Sequence, residues 1–213
     1  MIIDLHIHTN RYSMCSILDP TNMLKRAQKL KLDGIVIMEH NHIWGKEEIE
    51  ELKREVGGHG LIVLRGQEIR GYRRDGSAEG DFLAFGFYET IDKELSSTEI
   101  IHIVHDNGGI IIAAHPYRDI LGIGDHIYDL DIDGIEVLNP NHRPSDIENA
   151  ERARKIMDIA GTGGSDAHNL LPIGYYLTSF ERDIEREEDL IKEIREKRCS
   201  PIRYEDIKEY AFS

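Results

Sequence analysis

Residues 1–40 read MIIDLHIHTNRYSMCSILDPTNMLKRAQKLKLDGIVIMEH, and this stretch decides the fold. The apolar run MIIDLHI reads as a strand. TNMLKRAQKLK follows with apolar residues at helical spacing, and GIVIMEH then reads as a fully buried strand. Two buried strands joined by a helix pair in parallel, because a tight turn cannot return a chain to parallel alignment. The first strand carries His6 and His8 two residues apart. Side chains at that spacing share a face, so the two imidazoles project together while Leu5 and Ile7 project the other way.

The same alternation continues outward. KEEIEELKREV (46–56) is a charged amphipathic helix, and LIVLRGQEIR (61–70) is a third strand. FLAFGFYE (82–89) pairs with it as a hairpin across a charged, glycine-bearing loop at 71–81. STEIIHIVHDNGG (97–109) is a helix capped by Ser97 or Thr98 and closed by its glycine pair. IIIAAHP (110–116) and GIEVLNP (134–140) are strands. SDIENAERARKIMDIAG (145–161) is a helix running from a Ser145 cap to Gly161. GTGGSDAH (161–168) is a short strand or turn, YYLTSF (175–180) a strand, and EEDLIKEIREK (187–197) the last helix. At least six strand-then-helix units predict an α/β fold, an irregular (β/α) barrel of seven or eight strands with its site at the C-terminal ends of the strands. An open doubly wound sheet is the alternative. No linker divides the chain, so one domain over residues 1–213 is expected.

Composition narrows the function. The 213 residues carry 40 acidic and 26 basic side chains, a net charge of −14. Phosphate backbones are repelled by such a surface, so extended nucleic acid is not an expected partner. A small phosphorylated substrate remains compatible, since metal ions and a few arginines invert the field locally. The two cysteines, Cys15 and Cys199, make neither a disulfide framework nor a cysteine-rich zinc knot. A cytoplasmic setting is expected, with no secretory signal and no membrane contact.

The polar residues fall in a pattern. His6 and His8 end the first strand, His40 ends the second, Glu68 the third, and His115 closes IIIAAHP. Asp166 and His168 repeat the two-residue spacing in GSDAH. Strand ends of a barrel converge on one face, so these seven side chains would meet in one pocket. Burying them unpartnered is costly, and metal ions are the economical partner. Other candidates have plainer readings. His102 and His105 lie three apart on a helix surface. His59 and His126 read as loop residues, and so do His42 and His142 just past strand ends. Glu39 should point away from His40 and play a structural part. Cys15 reads equally as a soft ligand or a small buried side chain.

DLHIHT, EH, GQEI, AHP and GSDAH, in this order, resemble the PHP family, named after polymerase and histidinol phosphatase. The resemblance covers nearly the whole chain. It implies a distorted (β/α)7 barrel, two or three divalent ions (zinc, manganese or iron) and phosphoester hydrolysis. Carried onto this sequence, His6, His8, Glu68 and Asp166 hold one ion, Glu68 bridges to a second that His115 also binds, and His40 and His168 belong to a third. Two departures stand out. Many members carry an acid or histidine soon after the HxH, where this chain has YSMCS (12–16), which leaves that position to water or Cys15, or the third site empty. The resemblance also implies a histidine where this chain has Asp81, a carboxylate that still serves as a metal ligand.

The expected chemistry is hydrolysis of a small phosphate ester, a phosphomonoester first, by water acidified on the ions, so that no serine or cysteine nucleophile is required. Asp166 and His168 are catalytic candidates as well as ligands. Arg118, three residues past His115, is the candidate phosphate grip because guanidinium matches phosphate bidentately. Arg73 and Arg74 are weaker candidates. The alternatives are a nuclease or nucleotide-end-processing phosphodiesterase, and an amidohydrolase-type C–N hydrolase, which would typically place a lysine or another carboxylate pattern at mid-barrel.

Overall fold

The structure is a computed structural model that describes residues 1–208 except 59 and 92, with the backbone alone at 207 and 208. His59 therefore lies outside the described residues. In chain order the elements are β1 (Ile2–Ile7), α1 (Pro20–Lys29), β2 (Gly34–His40), α2 (Lys46–Val56), β3 (Ile62–Tyr72), β4 (Ala78–Phe85), α3 (Ser97–Asp106), β5 (Ile110–Ala113), a 3-10 helix (Gly124–Asp129), β6 (Gly134–Leu138), α4 (Pro144–Met157), β7 (Ala160–Gly163), β8 (Tyr176–Phe180), α5 (Glu187–Arg195), β9 (Cys199–Arg203) and α6 (Tyr204–Lys208).

The strands form one sheet in the order β7-β6-β5-β4-β3-β2-β1-β8-β9. β1, β2 and β3 run parallel, as do β5, β6 and β7, while β4 is antiparallel to both of its neighbours. Ring closure is split along the length of β1. Its first residues pair with the antiparallel β8, at Ile2↔Ser179 and Ile3↔Thr178. Higher up, the chain leaving β7 takes over: the His8 amide donates to the Ala167 carbonyl at 3.0 Å, and the Ala167 amide to the His6 carbonyl at 3.3 Å. The sheet thus curls into a nearly closed barrel, with β8 and β9 wedged into its lower seam. The α/β barrel expectation holds, with nine strands among the described residues in place of seven or eight.

Three apolar layers hold it. Ile3, Leu5, Val36, Met38, Leu64, Leu83, Phe85, Ile110 and Ile112 fill the inside, and Leu190, Ile191 and Ile194 of α5 pack against them. Outside, α1 and α2 cover β1 and β2 through Met23, Leu24, Ile49 and Leu52, while α3 and α4 cover β4 to β6 through Ile100, Val104, Ala150 and Ala153. Each fully buried Ile or Leu contributes about 1.5–3 kcal/mol, so the barrel rests on its apolar layers and the polar rim is left free for chemistry.

Local details differ from the sequence expectation. Leu5 and Ile7 do not share a face: the β1–β2 register slips between Asp4 and Ile7, so Leu5 packs inside with Ile3 and Ile7 packs outside with Ile35 and Ile37. A bulge of this kind re-aims side chains at a barrel rim. β3 continues four residues past Glu68, which shortens the hairpin loop from 71–81 to 73–77. The cap of α3 is Ser96, whose side chain accepts from the Glu99 amide while Glu99 reaches back to Ser96. α4 starts at Pro144 after Arg143, because proline fits the first helical turn, and it ends in left-handed Asp158. His126 lies in the 3-10 helix rather than a loop.

Candidate metal centre

His6, His8, His40, Glu68, Asp81, His115, Asp166 and His168 come together at the upper rim of the barrel. β2 and β3 place His40 directly beside Glu68, as register partners. A cavity of about 800 Å³ opens over them, lined also by Tyr12, Cys15, Arg70, Tyr72, Arg118 and Asn141. That volume suits a small-molecule ligand.

Glu68 is the hub. It is 2 % exposed. Its Oε2 lies 2.9 Å from His40 Nδ1 and 3.4 Å from His8 Nε2, and its Oε1 lies 3.2 Å from His115 Nε2 and 3.8 Å from His6 Nε2. Asp166 Oδ1 stands 3.5 Å from His6 Nε2 and 3.4 Å from His8 Nε2, and Asp166 Oδ2 accepts from Asn141 Nδ2 at 2.8 Å. Among the described residues, three groups could each hold a metal ion: His6 with His8 and Glu68; Glu68 with Asp81 and His115; and His8 with His40 and His168. Glu68 belongs to two of them. His8 also belongs to two, a sharing the sequence did not anticipate.

The electrostatics explain why a cation suits the place. His6 Nε2 and His8 Nε2 face each other at 2.9 Å inside fully buried surroundings. Two ring nitrogens at that separation share one proton in an N–H···N hydrogen bond, a proton whose place a metal ion could take. Burial opposes charge on His6, yet Glu136, Asp166 and Glu68 outweigh it and hold its pKa well above the ordinary imidazole range. Burial pushes His8 down to about 4, so its ring is a neutral donor. Burial pushes the Glu68 carboxyl up, but His115, His40 and His6 win and hold it well below the usual range. Asp166 is likewise depressed by His6 and His8 against the pull of burial. Burial raises the Asp81 carboxyl, with Arg70 opposing. Carboxylates crowded with imidazoles in a dry rim form a nitrogen and oxygen donor set that fits a divalent ion such as zinc, manganese or iron.

Several residues that sequence reading passed over hold these donors in place. Glu136 on β6 is 1 % exposed. Its Oε1 accepts from His6 Nδ1 at 2.9 Å, and its Oε2 accepts from the His115 amide and from Asn139 Nδ2, both at 2.9 Å. A carboxylate can only accept, so His6 keeps a proton on Nδ1 and turns Nε2 toward the cluster, where a bound metal ion would take the place of its second proton. Gly164 makes room for this contact: a Cβ there would stand 2.5 Å from the Cβ of His6 and 2.7 Å from Glu136 Oε1. Asp4 is buried and accepts from the amides of Ser165 at 2.9 Å and Gly174 at 3.0 Å, fastening the GSDAH segment to β1. The signal was present as lone acids in the apolar strands IIDLHI and GIEVL. His115 and Asp166 both hold left-handed backbone, at φ 29° and 45°. Strain of that kind persists where surrounding structure over-determines it, as at functional sites.

The remaining candidates sort as follows. Glu39 does point away from His40 and is fully buried. It accepts from the Thr9 amide at 3.2 Å, from Trp44 Nε1 at 2.9 Å, and from the hydroxyls of Thr9 and Ser13. Cys15 is exposed, not buried, and lines the cavity. His142 is buried, not solvated, with Nδ1 at 3.0 Å from the Val137 carbonyl. His42 stacks on Tyr12 with ring centroids 3.8 Å apart. His105 pairs with Asp133 at 2.8 Å, and His102 is exposed on α3. Arg118 lines the cavity with Nη1 3.9 Å from Asp166 Oδ2. Arg73 and Arg74 are exposed and line no part of it.

Fold and site together define an α/β barrel with a candidate metal centre at its rim. Comparison with known proteins sharpens this. A family model described as PHP-associated matches residues 144–199. The uncharacterized protein MJ1587 of Methanocaldococcus jannaschii is 36% identical over 170 residues, which cover 75% of this chain and 94% of that protein. Among solved structures, a Bifidobacterium adolescentis protein assigned provisionally as a metal-dependent phosphoesterase superposes with a TM-score of 0.66 at 20% identity, covering 92% of this chain and 96% of its own. PsfC from Pseudomonas syringae PB-5123 gives 0.70 at 18% identity, covering 94% and 90%. An amidohydrolase from Chromobacterium violaceum, with bound sulfate and no metal, gives 0.65 at 14% identity, covering 97% and 99%. The chain belongs to the PHP family.

Proposed function

We propose that this protein hydrolyses a small phosphate ester, a terminal phosphomonoester in the first instance, at a cluster of two or three divalent ions. The observation that carries the reading is Glu68, a single buried carboxylate shared by two adjacent donor groups within one cavity. His6, His8, Glu68 and Asp166 would hold one ion, Glu68, Asp81 and His115 a second, and His8, His40 and His168 a third. The ions, when bound, acidify a water and neutralise charge on the transferring phosphoryl group. The chain's own residues position and discriminate. Glu136 fixes the orientation of His6, Asn141 fixes that of Asp166, and Arg118 at the cavity wall attracts the non-bridging oxygens of the substrate. The residues 1–213 act as one domain in the cytoplasm on a soluble small molecule; among the described residues no helix is long and apolar enough to cross a membrane.

The test is metal analysis of the purified protein, followed by phosphate release from a panel of monoesters, diesters and nucleotides with manganese, zinc or iron(II) added. Turnover of monoesters at two or more bound ions per chain supports the reading. Metal-dependent cleavage of diesters or oligonucleotides alone would favour the nuclease alternative. Cleavage of amides alone would favour a C–N hydrolase, the activity named for the Chromobacterium fold neighbour.

A further inference from the structure

Arg70 was no part of the sequence reading, and the hairpin makes it conspicuous. Glu68, Arg70 and Tyr72 alternate along β3, so all three face the cavity they line. Across the antiparallel pair, Arg70 is the register partner of Asp81. The guanidinium takes that carboxylate with two parallel bonds, Nε to Oδ1 at 2.7 Å and Nη2 to Oδ2 at 3.0 Å. Both bonds use one edge of the planar group. The other edge, formed by Nη1 and the second Nη2 proton, has no protein acceptor among the described residues, and the side chain is 32 % exposed.

A guanidinium pinned on one edge presents the other in a fixed plane, and two parallel N–H groups match two oxygens of a phosphate. The pinning also removes the rotamer entropy that a free surface arginine loses on binding. The Asp81 charge offsets that of Arg70, so the pair does not attract anions from afar. What it supplies is direction at short range, next to the donor group that Asp81 shares with Glu68 and His115.

We propose that Arg70 is a substrate-binding residue: its free edge receives two oxygens of the phosphate while its engaged edge holds Asp81 in the metal cluster. The proposal rests on the phosphoesterase reading above and adds a specific receptor for the phosphate to it.

Inorganic phosphate titrated calorimetrically into the manganese-loaded protein tests this, with bound manganese counted in the same samples. Arg70→Lys keeps a charge opposite Asp81 but removes the planar edge, and Arg70→Gln removes both. The expected result is phosphate binding at least tenfold weaker in Arg70→Lys at unchanged manganese stoichiometry, and weaker again in Arg70→Gln. Phosphate affinity within twofold of wild type in Arg70→Lys would overturn the assignment. So would parallel loss of manganese and phosphate in that variant, which would mean that Arg70 acts only through Asp81. Wild-type protein that holds manganese but takes no phosphate also overturns it, whereas wild-type protein that takes no manganese overturns the metal reading itself.

Discussion

Glu136 Oε1 lies 2.9 Å from His6 Nδ1, a contact between residues 130 positions apart in the chain. It joins β6 to β1 across the barrel interior and sets which nitrogen of His6 is free to face the cluster. The same carboxylate holds the His115 amide through its other oxygen, and so braces a residue in left-handed backbone. One side chain thus orients donors belonging to two of the three groups.

Substituting Glu136 by Gln should therefore disturb metal binding without a new void. The amide has one acceptor oxygen where the carboxylate had two, so either His6 or the His115 amide loses its partner. Changes to the group behind a ligating histidine typically cost about 10- to 100-fold in metal affinity or activity. Competition with a chelator of known affinity measures the first, and an unchanged apparent affinity would contradict the role.

Asp166→Ala should lower turnover at least about 100-fold, or about 2.7 kcal/mol of transition-state stabilisation. The variant should still fold, because the apolar layers lie elsewhere. Retained metal content with near-normal phosphatase activity would show that Asp166 is not a ligand.

Arg118→Ala tests the monoester assignment. Loss of a charge-assisted contact of this kind costs about 2–4 kcal/mol, so kcat/KM for a monoester should fall roughly 30- to 1,000-fold. Metal content should hold. A diester carries one fewer charge and should suffer less, so equal losses on both substrates would place Arg118 outside substrate binding.

The two thiols should separate by pH. Burial pushes the Cys199 thiol up to about 12, so near pH 8 only about one molecule in 10⁴ carries its thiolate. Cys15 is exposed at the cavity, although burial of its thiol and then the nearby carboxylates raise its pKa as well. Alkylation of the native protein by iodoacetamide near pH 8, mapped by mass spectrometry, should label Cys15 first and spare Cys199. Raising the pH increases the Cys199 thiolate fraction tenfold per unit up to about 12, with a matching rise in rate while the fold persists. Early labelling of Cys199 would refute its burial.

The alternation of apolar runs with amphipathic helices determined the barrel class, because period and burial are local properties that a sequence writes directly. The histidines and acids at strand ends were legible for the same reason: His6, His8, His40, Glu68, His115, Asp166 and His168 interrupt apolar runs where an unpaired polar group is costly. Only the tertiary structure decided the rest. The bulge that parts Leu5 from Ile7 depends on the register against β2, and the seam between β1 and the 164–168 segment depends on where β8 ends. The contacts of Glu136 and Arg70 are made across strands. Their partners are set by how the sheet curls and pairs, which no local spacing records. Polar side chains inside strands were visible in the sequence. What each one touches was fixed by the closed barrel, where neighbours in space come from opposite ends of the chain.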